Sequence, residues 1–347
     1  MIKKKRVTIK DVAAEAGVSI TTVSHVLNEV PGLRVNPATQ QRILDATEKL
    51  GYVPNRLAQS LRTHRSKTIG LIGDEIVTTP FAGKMILGVQ EVALDRNFVL
   101  FVVSTGYQQE VENREIDELL RRQVDGIIYA SMFHRKLEMP KQLSAVPTVF
   151  LNAECLTPGI PWVTPDEVAG GRDAASVLLE AGHTRLGYID NVDDIPAAAG
   201  RMKGFRERLE QEGLSDALLV KSVETDAQGG YVAAKELLSR ADRPTAIFCF
   251  NDRIAMGAYR AAAELELKVP RDVSIMGFDN QDYVADGLYP GLTTIELPHY
   301  EMGTWAAEQL FKLIDGEELE TSSNRLRGPI ITRDSVSAKA QQKENDQ

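Results

Sequence analysis

The sequence predicts a small all-α helix-turn-helix domain at the N-terminus, followed by a larger α/β core of two doubly wound parallel-sheet lobes. Three observations predict it. Charge is split: residues 1–67 carry 12 Lys and Arg against 5 Asp and Glu, a surplus of +7, whereas the remaining 280 carry 28 against 44, or −16. The first fifty residues hold three short helical patterns, with a Gly between the first two. From Thr68 onward, short apolar runs alternate with amphipathic helical stretches, and the pattern restarts after Asn152.

A chain of 347 residues has room for two or three domains, each with its own core. A basic head on an acidic body implies a polyanionic partner for the head alone. The body's charge disfavours non-specific coating of nucleic acid. No apolar run approaches the ~18–20 residues that span a bilayer. The basic start, Met1 to Arg6, is followed by no apolar h-region, so no secretory signal is read and a cytoplasmic location without a membrane partner is expected. Cys155 and Cys249 sit among apolar residues, in FLNAEC and IFCFN, and read as buried reduced thiols. Cysteines and histidines are too few and wrongly spaced for structural zinc, and no metal or cofactor is expected.

In the head, Thr8-Ile9-Lys10-Asp11 has the capping-box pattern and opens a helix from about Ile9 to Ala16, with Val12, Ala13 and Ala16 on one face. Gly17 falls where a left-handed turn residue is wanted. Ser19 caps the next helix, whose inner face is Val23, Val26 and Leu27. Asn36-Pro37 opens a third helix through Ile43, Leu44, Ala46, Thr47 and Leu50, and Gly51 ends it. The outward face of the second helix carries Ser19, Ile20, Thr21, Thr22, Ser24, His25 and Asn28. These short donors and acceptors suit base edges and phosphates in a major groove, and Thr8 is counted with them as a DNA contact. The bland alternative is a small bundle with a polar exposed face.

VTIKDVAAEAGVSITTVSHVLN followed by GYVPNRLAQSLRT resembles the start of the lactose/galactose-repressor (LacI/GalR) family of bacterial transcription regulators. The resemblance implies that the second helix reads the major groove, with Ile20, Thr21 and His25 at the main base-reading positions. It implies that NRLAQSLRT is a hinge helix, ordered on operator DNA, whose Asn55, Arg56, Leu57, Ala58 and Leu61 meet the minor groove. Leu61 matches the leucine that wedges between base steps; an apolar side chain forced in there kinks the duplex and brings more protein against it. Two features depart from the pattern. His25 stands where the family most often has Arg, and the loop from Asn28 to Val35 is longer than in the shorter members. Arg56, Arg62, His64, Arg65 and Lys67 crowd the hinge, and their repulsion opposes a helix without a polyanion beside it.

In the body, TIGLIGDEI, FVLFVVST, DGIIYAS, TVFLN, RLGYID, AIFCFN and VSIMGFD read as buried parallel strands. Helical patterns over 83–96, 113–123, 168–181, 202–212, 228–240 and 253–265 alternate with them. DEIVTTPFAGK after the first strand is not a dinucleotide fingerprint. The resemblance continues to about Val336 through VDGII, LLEAGHTRLGYI, RMKGF, FCFND, IMGFDN and LTTI. It implies a periplasmic-binding-protein-like core with a small effector between the lobes, and a chain that crosses between them near Trp162, Ile295 and Asn324. The expected organisation is a DNA-binding domain over 1–53, a hinge and linker over 54–67, a core over 68–335 and a polar tail over 336–347. Lobe 1 takes 68–162 and 296–323, and lobe 2 takes 163–295 and 324–335.

Strand ends and the crevice between lobes are where such sheets bind ligands. The sequence puts Asn152, Arg201, Asn251, Asp252, Asp279 and Asn280 at such places. By resemblance Arg201, Asn251 and Asp279 hydrogen-bond the effector. Asn152 stands where some relatives have a carboxylate, and Glu296-Leu297 follows TTI where some have Gln. Phe81 and Trp162 are candidates to stack on a sugar face. The structural alternative is that strand-end Asp and Asn cap helices, with Asp252 as a cap or lobe contact and Phe81 as plain core.

No P-loop, HExxH or GxSxG is present, and no pair of carboxylates is set to cleave a glycosidic bond, so no catalytic residues are assigned. A sugar-binding receptor and a sugar-processing enzyme are the weaker alternatives. The reading is a homodimeric, sequence-specific regulator on an imperfect palindrome, repressing carbohydrate-utilisation genes and tuned by a mono- or disaccharide, with a purine-type co-repressor as the alternative. The tail SAKAQQKENDQ has no leucine heptad, which favours a dimer over a coiled-coil tetramer. Leu61→Ala is expected to weaken operator binding more than non-specific binding, since the kink belongs to the specific complex alone. Titrations against operator and scrambled duplexes check this, and equal loss on both would remove the wedge.

Overall fold

The computed structural model describes residues 7–27, 35–52, 65–75, 82–321 and 323–338. Asn28, Phe81, the hinge candidates Asn55, Arg56, Leu57, Ala58 and Leu61, and most of the tail lie outside them. The chain forms two compact units, Met1–Ser66 and Lys67–Gln347.

The first unit holds α1 (Ile9–Ala16), α2 (Ile20–Leu27) and α3 (Pro37–Leu50). The Thr8 N–H donates to Asp11 Oδ2 at 2.7 Å, completing the N-terminal box, and Gly17 closes α1 at φ 66°. Asn36 Oδ1 accepts from Ala38 N at 2.9 Å ahead of Pro37. Val12, Val23 and Ile43 are fully buried, one from each helix, and small Ala13, Ala16 and Ala46 let the helices close around them. Leu44 is 43% exposed, because the inward stripe of α3 is narrow and falls on Ile43 and Ala46.

From Thr68 the chain runs through β1 (Thr68–Gly73), α4 (Ala82–Asp95), β2 (Val99–Ser104), α5 (Gln109–Arg121), β3 (Gly126–Leu137), β4 (Thr148–Cys155) and β5 (Trp162–Pro165). It continues through α6 (Glu167–Glu180), β6 (Leu186–Asn191), α7 (Pro196–Glu210), β7 (Leu219–Val223), α8 (Ala227–Leu238), β8 (Ala246–Cys249), α9 (Asp252–Glu264) and β9 (Ser274–Met276). Last come β10 (Thr294–Ile295), α10 (His299–Asp315), β11 (Ser323–Leu326) and β12 (Ile330–Ile331). One sheet has the order β11-β5-β4-β3-β1-β2 and a second the order β7-β6-β8-β9, with every pairing parallel. β10 and β12 pair antiparallel where the chain passes between the two lobes.

Sheet membership moves two of the expected crossings. Trp162 and Asn324 both lie within strands of the first sheet, Asn324 paired with Val163. The chain therefore leaves lobe 1 only after Pro165, and crosses again after Leu326, a few residues later than expected each time. β2 also departs from the reading as a buried strand: it is outermost, with Val99 41% and Phe101 37% exposed. Both cysteines are buried free thiols.

Each lobe packs its helices at close range on glycines. α6 meets α7 through Gly171 and Gly204, whose β-carbons would collide with the Arg201 and Val168 carbonyl groups. Gly230 and Gly257 serve α8 and α9, and Gly88 and Gly303 serve α4 and α10, in the same way. Under the lobe 2 helices, Phe205 and Phe248 stack at 5.2 Å, with Tyr188 at 5.4 and 4.9 Å from them. Gly204→Ala is expected to lift α7 off α6 and cost about 1–3 kcal/mol. A lower urea midpoint at unchanged slope would register it.

Candidate DNA-reading helix and effector cleft

On α2, Ser19 Oγ accepts from Thr22 N at 3.1 Å and shares a 2.8 Å hydrogen bond with Thr22 Oγ1. These two hydroxyls start the helix. Ile20 and Thr21 stand outward and exposed, and Ser24 and His25 are half-buried on the same short element. Thr8 is exposed, but its hydroxyl donates to Asp11 Oδ2 at 2.7 Å. The outward set thus divides into cap residues and residues open to solvent.

The cleft is built around Arg201 on α7, 3% exposed. Its Nε donates to Glu167 Oε2 at 2.7 Å, and its Nη1 donates to the Phe250 carbonyl at 2.6 Å and lies 3.5 Å from Asp279 Oδ1. The guanidinium lies over the rings of Phe278 at 3.6 Å and Phe250 at 4.4 Å. Local rules explain the placement. Pro196 at the first turn starts α7, and Arg201 sits on the turn that Gly171 lets approach α6. Glu167, the first residue of α6, faces the same turn.

Asp279 adopts φ 102°, held by its N–H on the Ile295 carbonyl at 2.8 Å and by Gln281 Nε2, which donates to Oδ2 at 2.9 Å. Burial pushes its carboxyl up to about 6, against the pull of Arg201. Asn251 caps α9: Oδ1 accepts from Ile254 N at 2.9 Å, and Nδ2 is 3.5 Å from the Thr225 carbonyl. The cap expected of Asp252 therefore falls one residue earlier. Asp252 is fully buried and instead accepts from Thr294 Oγ1 and Gln281 N, each at 2.7 Å, tying the crossing strand to the loop after β9.

Lobe 1 supplies the opposite wall. Asn152 (φ 57°) donates through Nδ2 to the Ser131 and Met132 carbonyls at 3.1 Å, and its Oδ1 is buried without a hydrogen bond. His134, on β3 within the register shift against β4 between Ala130 and Arg135, also lines the cleft. Arg201, Asn251, Asp279 and Asn152 thus face one cavity of about 80 Å³ between the lobes. Trp162 does not belong there. It is three residues before Pro165, which does line the cleft, and packs on Phe150 beneath Arg325, whose guanidinium is 5.1 Å from its ring. Leu297 lines the cleft, while Glu296 accepts from Lys84 Nζ at 3.1 Å. Sequence reasoning passed over Glu167 and His134. An acidic residue opening a helix signals only a favourable dipole, and FHRK reads as a polar strand end.

Residues 66–336 match the family model described as periplasmic binding proteins and sugar binding domain of LacI family, and residues 8–55 match bacterial regulatory proteins, lacI family. The chain belongs to the LacI family. The HTH-type transcriptional regulator RegA of Clostridium saccharobutylicum is 33% identical over 95% of this chain and 99% of its own. The ribose operon repressor of Escherichia coli K12 is 31% identical over the same shares. A crystal structure of the lac repressor dimer, bound to operator and the anti-inducer ONPF, superposes with a TM-score of 0.78 at 25% identity over 96% of this chain and all of that one. This LacI-family chain is accordingly a DNA-binding transcriptional regulator, not an enzyme. No helix among the described residues is long and apolar enough to cross a membrane.

Burial, reinforced by repulsion from Asp279, pushes the Asp252 carboxyl up to about 8. In the unfolded chain the same group ionises near ~3.9. Between those values the folded protein holds a proton that the unfolded chain has lost. The stability this group contributes is therefore full below about pH 4 and lost as pH rises through about 8. Asp252→Asn is expected to flatten that slope, as urea unfolding across pH 4–8 would record.

Proposed function

We propose that this regulator is a homodimeric repressor of carbohydrate-utilisation genes whose hold on an imperfect palindromic operator is tuned by a small sugar in the interlobe cleft. The observation that carries the reading is the buried Arg201, fixed between Glu167 and Asp279 on a wall of the cleft, with Asn152 opposite. Guanidinium, carboxylate and amide groups bind adjacent hydroxyls in pairs, which is what a sugar presents. A relative named for the ribose operon supports the carbohydrate assignment. The dimer is supported by the lac repressor structure, and by Leu87, Leu94, Val99 and Phe101 exposed on α4 and β2 with Val232 and Met256 exposed on α8 and α9. A cytoplasmic location follows from the same role.

Closure of the lobes on the sugar changes how the two copies present their reading helices. Effector and operator then influence each other equally, typically by about 1–3 kcal/mol. Within this reading, Ile20, Thr21 and His25 meet base edges, with the helix-starting hydroxyls of Ser19 and Thr22 near the backbone.

The test uses a labelled operator selected from random duplexes, followed by anisotropy with and without monosaccharides and disaccharides. Asp279→Asn keeps the shape of the side chain and removes its charge. It is expected to bind operator within about twofold of the parent and to need at least about tenfold more sugar for the same shift. An unchanged sugar response would take Asp279 out of the site.

A further inference from the structure

The two walls of the cleft differ in how completely their polar groups are satisfied. On the lobe 2 wall, Arg201, Glu167, Asp279, Gln281 and Asn251 are hydrogen-bonded among themselves or to backbone. On the lobe 1 wall, three buried atoms have no hydrogen bond: His134 Nδ1, His134 Nε2 and Asn152 Oδ1. Among the described residues only Thr164 Oγ1 and Tyr188 Oη share that condition, so three of five such atoms line one wall. Buried polar atoms in native proteins nearly always find partners, and leaving one without costs about 1–3 kcal/mol.

His134 is wedged between carboxylates of both lobes. Its side chain is 6% exposed, with Nε2 3.3 Å from Glu154 Oε1 and Nδ1 3.9 Å from Glu167 Oε1. The same Glu154 Oε1 accepts from Arg325 at 2.9 Å, with Lys136 3.8 Å from Oε2, and Glu167 is occupied by Arg201. Burial holds the imidazole pKa below its ordinary value, against the pull of the two carboxylates. A neutral ring offers one donor and one acceptor.

We infer that His134 and Asn152 together read adjacent hydroxyls of an uncharged, unphosphorylated sugar, with His134 as a specificity-determining residue of the effector site. This rests on the carbohydrate reading above and narrows it. The ligand must donate to Asn152 Oδ1 and to one imidazole nitrogen, and accept from the other. Hydroxyl groups do both. A fully ionised phosphate only accepts, would leave Asn152 Oδ1 unmet, and would sit against Glu167 and Asp279. Arg201 does not offset this repulsion, since its single positive charge already faces both Glu167 and Asp279.

The experiment measures ligand-induced melting shifts and calorimetric affinities of the full-length protein. The probes are ribose, glucose, galactose and cellobiose, with ribose 5-phosphate, glucose 6-phosphate and galactose 1-phosphate as matched anions. Free sugars that bind are then compared with their monodeoxy analogues on the parent and on His134→Phe, which keeps a ring and removes both nitrogens. The expected result is a free sugar bound at least about tenfold more tightly than its phosphate, with one deoxy position costing about ten- to hundredfold in the parent and about nothing in His134→Phe. If that variant does not fold, His134→Gln replaces it, and the sugar-to-deoxy affinity ratio is expected to change at least about fivefold. A phosphate bound as tightly as its free sugar, or a deoxy penalty unchanged in a folded variant, overturns this inference and leaves the carbohydrate reading standing. No shift from any carbohydrate in either form overturns both.

Discussion

Arg201 brings a full positive charge to a place that water barely reaches, and much of the cleft is arranged around that fact. An unpaired buried ion costs several kcal/mol, so the surroundings must neutralise and hydrogen-bond it. Glu167 comes from the first turn of α6, Asp279 from the end of β9, the Phe250 carbonyl from the end of β8, and the rings of Phe278 and Phe250 lie against the guanidinium. Four parts of lobe 2 that are distant in the chain are thereby held to one geometry, since removing a carboxylate leaves charge uncompensated. The Phe205–Phe248–Tyr188 cluster lies beneath, and Phe248 reaches Phe278 at 6.3 Å, so the support continues into the lobe core.

The same wall is joined to the chain crossings. Asp279 bonds through its N–H to the Ile295 carbonyl, and its neighbour Gln281 bonds to Asp252, which also holds Thr294. A displacement of β10 therefore moves the carboxylate that faces the cleft, and a ligand that moves the carboxylate moves β10. β12 pairs with β10 and extends this coupling to a second crossing. The strained backbone of Asp279 is kept in place by these bonds rather than by its own preference.

What could be read in the sequence follows the range of the forces involved. Caps and turns depend on neighbours a few residues away, and Thr8, Gly17, Asn36 and Gly51 behave as their types predict. Strands buried on both faces announce themselves as apolar runs, which made β1, β3, β4, β6, β8 and β9 legible. Strands with an open face do not: LVKSV alternates weakly, and the apolar run of β2 reads as a buried strand although one face is open. The lining of the cleft was legible where the family pattern carried it, at Arg201, Asn251, Asp279 and Asn152. Trp162 failed because a strand of four residues has one end at the cleft and the other against Phe150. Glu167 and His134 were invisible because their roles depend on partners 34 residues away in one case and in the other lobe in the second.

The glycine seams between paired helices have a consequence for recombining this protein with its relatives. α6 with α7, α8 with α9, and α4 with α10 interlock at distances that no side chain tolerates, so the halves of each pair have co-adapted surfaces. A chimera spliced between partners would inherit a mismatched seam. A chimera spliced at the three passages, after Pro165, Ile295 and Leu326, would transplant each lobe with its seams whole, and ligand preference could be exchanged as a cassette.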